Sequence, residues 1–129
     1  MGQKEDYGID NKRAQALRIM LPADTGNLII NQPLNNITRV TLRALSSVLA
    51  GAQAIALPCY DEAFAIPNEN SSRVSLMIHQ IIAHKTGIPD VADPLGGSYY
   101  VETLTNQCEE KMNEIIDDIN SRGGMLKLI

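Results

Sequence analysis

The chain has 129 residues and a formal net charge of −4, the size of one ordinary domain able to bury roughly two thirds of the surface its unfolded form exposes. Acids and bases are scattered, so no basic stripe exists to neutralise a run of phosphates, and nucleic acid is not an expected partner. Apolar runs fall far short of the roughly 20 residues of a membrane span, and the charged segment Met1–Asp10 lacks the apolar stretch of a secretory signal, so a soluble, cytoplasmic protein is expected.

Helical periodicity alternates with short apolar runs, without a fixed repeat, which implies an α/β fold in a single domain spanning 1–129. Asn11–Met20 reads as a short helix, capped by Asp10 or Asn11 and closed ahead of Pro22. Leu28, Ile29 and Ile30 form a brief strand candidate. From Asn35, the residues Ile37, Val40, Ala44, Leu45 and Val48 share one helical face, and Gly51 ends that helix. Ala52–Leu57 reads as a buried strand, broken by Pro58 and followed by the irregular segment Cys59–Asn70.

Asn70 or Ser71 caps the next expected helix, where Val74, Met77, Ile78, Ile81 and Ile82 recur at helical spacing up to Gly87 and Pro89. Asp90–Ala92 is a third strand candidate. It leads into the turn-rich Asp93–Ser98, which lacks the spacing of a dinucleotide or P-loop motif and reads as a tight turn with Ser98 as a cap. A last helix carries Val101, Leu104, Cys108, Met112, Ile115 and Ile119 on one face and breaks at Gly123-Gly124.

Three strand-then-helix units imply about three short parallel strands, since each crossover is a helix and hairpin signals are missing. So few strands leave unpaired edges, which closure or a partner chain normally covers. An incomplete domain with a tendency to self-associate is the expectation. Cys59 and Cys108 lack a CxxC spacing and are expected to be reduced and mostly buried. His79 and His84 miss the i, i+4 spacing of a shared metal, so packing or solvent-facing roles are expected.

Three ordered phrases carry a resemblance: Gln32-Pro33-Leu34-Asn35-Asn36 with Arg39, Asp61-Glu62-Ala63 with Pro67, and Asp93-Pro94-Leu95-Gly96-Gly97-Ser98-Tyr99-Tyr100-Val101-Glu102. Together they resemble the large subunit of the methylmalonyl-CoA mutase family of cobalamin-dependent acyl-CoA mutases. Tyr7-Gly8, Arg13–Arg18 and Gly123-Gly124-Met125 fit the same register. The resemblance implies the C-terminal portion of a (β/α) TIM-type barrel, with neither the earlier strands nor the cobalamin-binding domain. It implies a subunit or fragment of an isomerase that rearranges the carbon skeleton of an acyl-CoA, such as methylmalonyl-CoA to succinyl-CoA. Such a fragment would be inactive alone and completed by a chain carrying the upstream barrel half and by a cobalamin-binding subunit.

Adenosylcobalamin is the implied cofactor, held mainly by the partner chains. Glu62 corresponds to the family glutamate that meets the adenosyl ribose, a task suited to a carboxylate because its two oxygens accept from sugar hydroxyls. The plain alternative is an exposed loop acid. Gln53 matches a family glutamine and either faces the cofactor or satisfies backbone groups. Asn35 and Asn36 lie on the cofactor side or cap a helix. No residue is expected to act as a catalytic acid or base. Pro22 and Pro58 stand where the family shows a glutamine and an asparagine, and Met20 where it shows a histidine. Each proline removes polar groups. They favour an alternative in which the chain is a non-catalytic, degenerate barrel half serving as an interaction or structural module.

Overall fold

The computed structural model describes residues 8–129, so Tyr7 of the Tyr7-Gly8 match and most of Met1–Asp10 lie outside the described residues. The order is α1 (Lys12–Gln15), β1 (Met20–Leu21), α2 (Pro33–Leu49), β2 (Ala54–Ile55), α3 (Glu69–Lys85), a 3₁₀ turn (Ile88–Asp90), α4 (Tyr99–Ser121) and α5 (Met125–Leu128). The described residues up to Pro94 form one compact unit and Leu95–Ile129 another.

In the first unit β1 and β2 are parallel, with Met20 opposite Ala54 and Leu21 opposite Ile55. Among the described residues the sheet holds these two strands and not three. Thus the fold is helix-rich α/β with one parallel pair, and each strand keeps one edge without a strand partner. α2 follows the expected periodicity: Val40 and Ala44 are buried, and they meet Ile78 and Ile82 of α3 and Leu57 in one core. Leu28, Ile37, Val48 and Ile55 pack against that cluster. α2 ends at Gly51, whose φ of +78° is the left-handed conformation glycine adopts without strain. Gly87, at φ +68°, ends α3 in the same way.

Four local expectations are corrected. The first helix stops at Gln15, because Ile19–Leu21 is drawn into pairing with the segment around β2. The Ile19 carbonyl accepts from the Gln53 N–H at 3.0 Å and the Leu21 carbonyl from the Ala56 N–H at 2.9 Å, a tertiary override of helix propensity. Leu28–Ile30 is not a strand, because a side chain takes the place of a neighbouring strand. The Ile29 N–H donates to Asn36 Oδ1 and the Ile29 carbonyl accepts from Asn36 Nδ2, both at 3.0 Å. Asp90–Ala92 is not a strand either. Pro89 favours a tight turn, and the Asp90 N–H bonds back to the Gly87 carbonyl at 3.1 Å.

The cap of α3 is Asn68, ahead of both expected candidates. Asn68 Oδ1 accepts from the N–H groups of Asn70 (2.8 Å) and Ser71 (3.1 Å), while Ser71 Oγ accepts from the Asn68 N–H at 2.9 Å. This reciprocal box satisfies donors that a helix start leaves orphaned. The stripe that α3 buries is Ser71, Ser75, Ile78 and Ile82, so Met77 and Ile81 of its apolar face remain exposed.

The second unit is α4 with α5. Ser98 occupies the cap position of α4 without a side-chain capping bond; Glu102 Oε1 instead accepts from the Gly97 N–H at 2.9 Å and ties the preceding turn to the start of the helix. The apolar stripe of α4 exists as expected, yet no residue of the helix is buried. Cys108 on that helix is exposed, contrary to expectation, while Cys59 is buried, and both are free thiols. No helix among the described residues is long and apolar enough to cross a membrane.

Candidate functional site

Parallel strands send their carboxyl ends to one side, where α/β folds place their chemistry. Here that side carries Pro22–Leu28 after β1 and Ala56–Asn68 after β2. The second segment contains Asp61-Glu62-Ala63 and is tightly tied. The Glu62 N–H donates to the Cys59 carbonyl at 3.1 Å, and Phe64 and Ala65 donate to the Asp61 carbonyl at 3.0 and 2.9 Å. Glu62 Oε1 accepts from the Cys59 N–H at 2.7 Å, so the carboxylate closes its own turn. Its other oxygen has no partner among the described residues.

Asp61 is nearly fully buried. Its Oδ2 accepts from Asn68 Nδ2 at 3.3 Å, and its Oδ1 is buried without a partner. A buried acceptor without a partner is costly and rare, which sets Asp61 Oδ1 apart from the other polar atoms of this turn. Cys59 borders the same carboxylates. Burial pushes its thiol up, and the negative charges of Glu62 and Asp61 push the same way, against a weak bond from its Sγ to Ser72 Oγ at 3.9 Å. At neutral pH the thiol stays protonated and serves as packing rather than as a nucleophile.

The other two residues read as cofactor contacts are engaged within the chain. Gln53 lies just ahead of β2, where its Oε1 accepts from the Ile19 N–H and its Nε2 donates to the Gly51 carbonyl at 3.0 Å. It staples the start of the parallel pair, which matches the backbone-satisfying alternative. Asn35 is exposed in the first turn of α2, and its Nδ2 donates to Gln32 Oε1 at 3.0 Å. Neither Asn35 nor Asn36 caps α2, since Gln32 holds that position and Pro33 starts the helix.

Asn36 is the residue whose weight the sequence hides. It is 0% exposed. Besides Ile29, its Nδ2 donates to the Tyr60 carbonyl at 2.9 Å and its Oδ1 accepts from Arg39 Nη1 at 2.9 Å. One amide thus joins the segment after β1, helix α2 and the turn carrying Glu62. A paired asparagine followed by an arginine one turn on is the only sequence signal, and it does not distinguish this clamp from a cap.

The departures at the strand ends have structural consequences. Pro58 is fully buried. Pro22 is exposed, and its carbonyl accepts from Arg43 Nη2 at 3.2 Å. His79 bridges rather than ligates: its Nδ1 lies 3.0 Å from the Ser75 carbonyl and its Nε2 3.2 Å from the Ile55 carbonyl, joining α3 to β2. His84 is exposed. Among the described residues no group of three or more His, Cys, Asp or Glu could hold a metal ion.

The methylmalonyl-CoA mutase family model matches residues 2–129. The 2-hydroxyisobutanoyl-CoA mutase large subunit of Aquincola tertiaricarbonis is 46% identical over 126 residues, which cover 98% of this chain and 22% of that protein. The methylmalonyl-CoA mutase of Rhizobium meliloti is 38% identical over 92% of this chain and 17% of its own length. For the mitochondrial methylmalonyl-CoA mutase of Homo sapiens the identity is 35%, over 92% of this chain and 16% of that protein. The chain therefore spans at most about a fifth of these relatives. With a family match along nearly its whole length and relatives well above 30% identity, it belongs to the methylmalonyl-CoA mutase family.

Proposed function

We propose that this chain forms the closing portion of the barrel of an adenosylcobalamin-dependent acyl-CoA mutase, and that it isomerises a short acyl-CoA only when completed by an upstream barrel half and a cobalamin-binding subunit. Both compact units then belong to one larger domain. Related proteins are named for 2-hydroxyisobutanoyl-CoA or methylmalonyl-CoA, which supports a short acyl-CoA of that class as the proposed substrate. Free Cys59 and Cys108 suit a reducing compartment, and the cytoplasm is the proposed location.

The observation that carries the reading is Glu62, fixed at the carboxyl end of β2 with one oxygen anchored and the other without a partner among the described residues. Such a carboxylate fits a sugar hydroxyl, whereas Gln53 and Asn35 already use their amides within the chain and fit the cofactor less well. When bound, the cofactor supplies the radical chemistry of a carbon-skeleton rearrangement. This chain contributes orientation through Glu62 and barrel wall that keeps water out.

In the reconstituted complex, Glu62→Gln keeps size and loses a charge-assisted hydrogen bond worth about 1.5–3 kcal/mol. Cofactor affinity or turnover should fall by roughly 10- to 100-fold, while Glu69→Gln, an exposed acid in the first turn of α3, should change little. Equal, near-native behaviour of both variants would remove Glu62 from the site. A second reading, a non-catalytic barrel half acting as an interaction module, is favoured by the loss of polar groups at Pro22 and by the burial of Pro58. A complex that assembles but stays inactive supports it.

A further inference from the structure

A cavity of about 380 Å³ opens beside the carboxyl ends of β1 and β2, between the segment after β1 and α2. Its volume falls in the usual range of small-molecule sites. Leu28, Val40 and Pro58 give it apolar wall; Asp24, Arg39 and Arg43 give it charge. The three candidate cofactor contacts that the family resemblance implies, Glu62, Gln53 and Asn35, do not line it.

The two arginines sit one turn apart and are unlike in their partners. Arg43 is satisfied: Nη1 lies 3.3 Å from Asp24 Oδ2 and 2.6 Å from the Asp24 carbonyl, and Nη2 lies 3.2 Å from the Pro22 carbonyl. Arg39 is half-buried and has no carboxylate partner among the described residues. Its Nη1 donates at 2.9 Å to Asn36 Oδ1, a neutral acceptor that Ile29 and Tyr60 hold rigidly in place. The rest of its fork has no acceptor among the described residues. A guanidinium oriented in advance, partly removed from water and lacking a counter-ion is the arrangement proteins use to take an oxyanion bidentately.

We propose that this cavity binds a small oxyanion at Arg39, and that its preferred ligand is a short-chain monocarboxylate. Charge sets the valence. The Arg43–Asp24 pair is neutral as a unit, so Arg39 leaves one positive charge to match, and Asp24 opposes a second negative charge on the ligand. The apolar wall suits a few carbons behind the carboxylate. A phosphate monoester shares the oxyanion chemistry but is largely dianionic near pH 8. The proposal does not use the mutase reading: the cavity and its charges are residues of the first unit, and the test reads them in the chain by itself.

The test is heteronuclear NMR titration of the full chain at pH 8 and constant ionic strength with butyrate, butanamide and methyl phosphate. Butyrate should shift amides near Asp24–Leu28 and Arg39–Arg43 saturably. Butanamide, with the same carbons and no charge, should leave them in place, and methyl phosphate should bind about tenfold more weakly or worse. Arg39→Gln should weaken butyrate binding by at least about tenfold, and Arg39→Lys, a point charge without the fork, should fall between. Should Arg39→Gln lose its spectral dispersion, butyrate against butanamide on the native chain decides alone. Non-saturable shifts with butyrate, equal shifts with butanamide, methyl phosphate binding as tightly as butyrate, or native affinity in a folded Arg39→Gln variant would each overturn the proposal.

Discussion

The two compact units use equally regular apolar helices in opposite ways. In the first, α2 and α3 bury Val40, Ala44, Ile78 and Ile82 against one another and against Leu57. In the second, α4 carries Leu104, Met112, Ile115 and Ile116 exposed and buries no residue. Its own supports are local, such as the pair of Asp118 with Arg122 one turn on, a class of contact worth only about 0.3–0.5 kcal/mol. Hydrophobic periodicity reports which face a helix buries in its finished assembly. It does not report whether the partner lies in the same chain.

Two matched substitutions test that difference most strongly. Ile78 is 5% exposed and Ile115 is 61% exposed, so Ile78→Ala should cost about 2–5 kcal/mol in urea unfolding, and Ile115→Ala no more than about 0.5 kcal/mol. In a reconstituted complex the ranking should narrow, because Ile115 would gain a neighbour and its truncation should weaken assembly. Comparable losses from both variants in the isolated chain would show that α4 already has a packing partner.

Asn36→Ala sharpens the comparison within the first unit. It strands the backbone groups of Ile29 and the Tyr60 carbonyl, and leaving a buried polar group unsatisfied costs about 1–3 kcal/mol. Amide exchange should accelerate at Ile29, the N–H that Asn36 accepts from, and in the turn around Tyr60–Phe64, with no change in α4. Uniform acceleration across both units would contradict a clamp local to the first.

The thiols offer the smallest effect and the cleanest contrast. Iodoacetamide at pH 7.5 should modify exposed Cys108 at least about tenfold faster than buried Cys59. Because burial and the nearby acids raise the Cys59 thiol above its ordinary value of 9.0, the unfolded chain loses that proton first as pH climbs. The contribution of Cys59 is therefore present below about pH 9 and lost as pH rises further. Cys59→Ala should flatten this alkaline decline, and an unchanged slope would assign it to other groups.

Much of this was legible before the structure. The helices of residues 33–49, 69–85 and 99–121 show in their periodicity, Gly51 and Gly87 mark two helix ends, and the Asp61-Glu62-Ala63 phrase points to the turn after β2. What stayed hidden depended on partners distant in sequence. Leu28–Ile30 has the composition of a strand, but the amide of Asn36 supplies the hydrogen bonds a strand would have needed. Gln53 could face a cofactor or the backbone, and only the approach of Ile19 separates the two. Asn68 followed by Ser71 is only a faint signature of a box, because serine in the third position is a weaker signal than Glu or Gln. The charge imbalance between Arg39 and Arg43 has no signature in sequence, because both lie on one helix and differ only through Asp24, a long way back along the chain.

The central claim is that this chain contributes barrel wall and Glu62 to a mutase it does not form alone. Its most direct test is reconstitution. The chain is mixed with the upstream barrel portion of a related mutase and a cobalamin-binding subunit, and isomerisation of 2-hydroxyisobutanoyl-CoA and methylmalonyl-CoA is followed with adenosylcobalamin. The account predicts a stable complex and turnover of at least one substrate only when all components are present. Turnover by the chain alone, or no association with the barrel portion at any ratio, would contradict it.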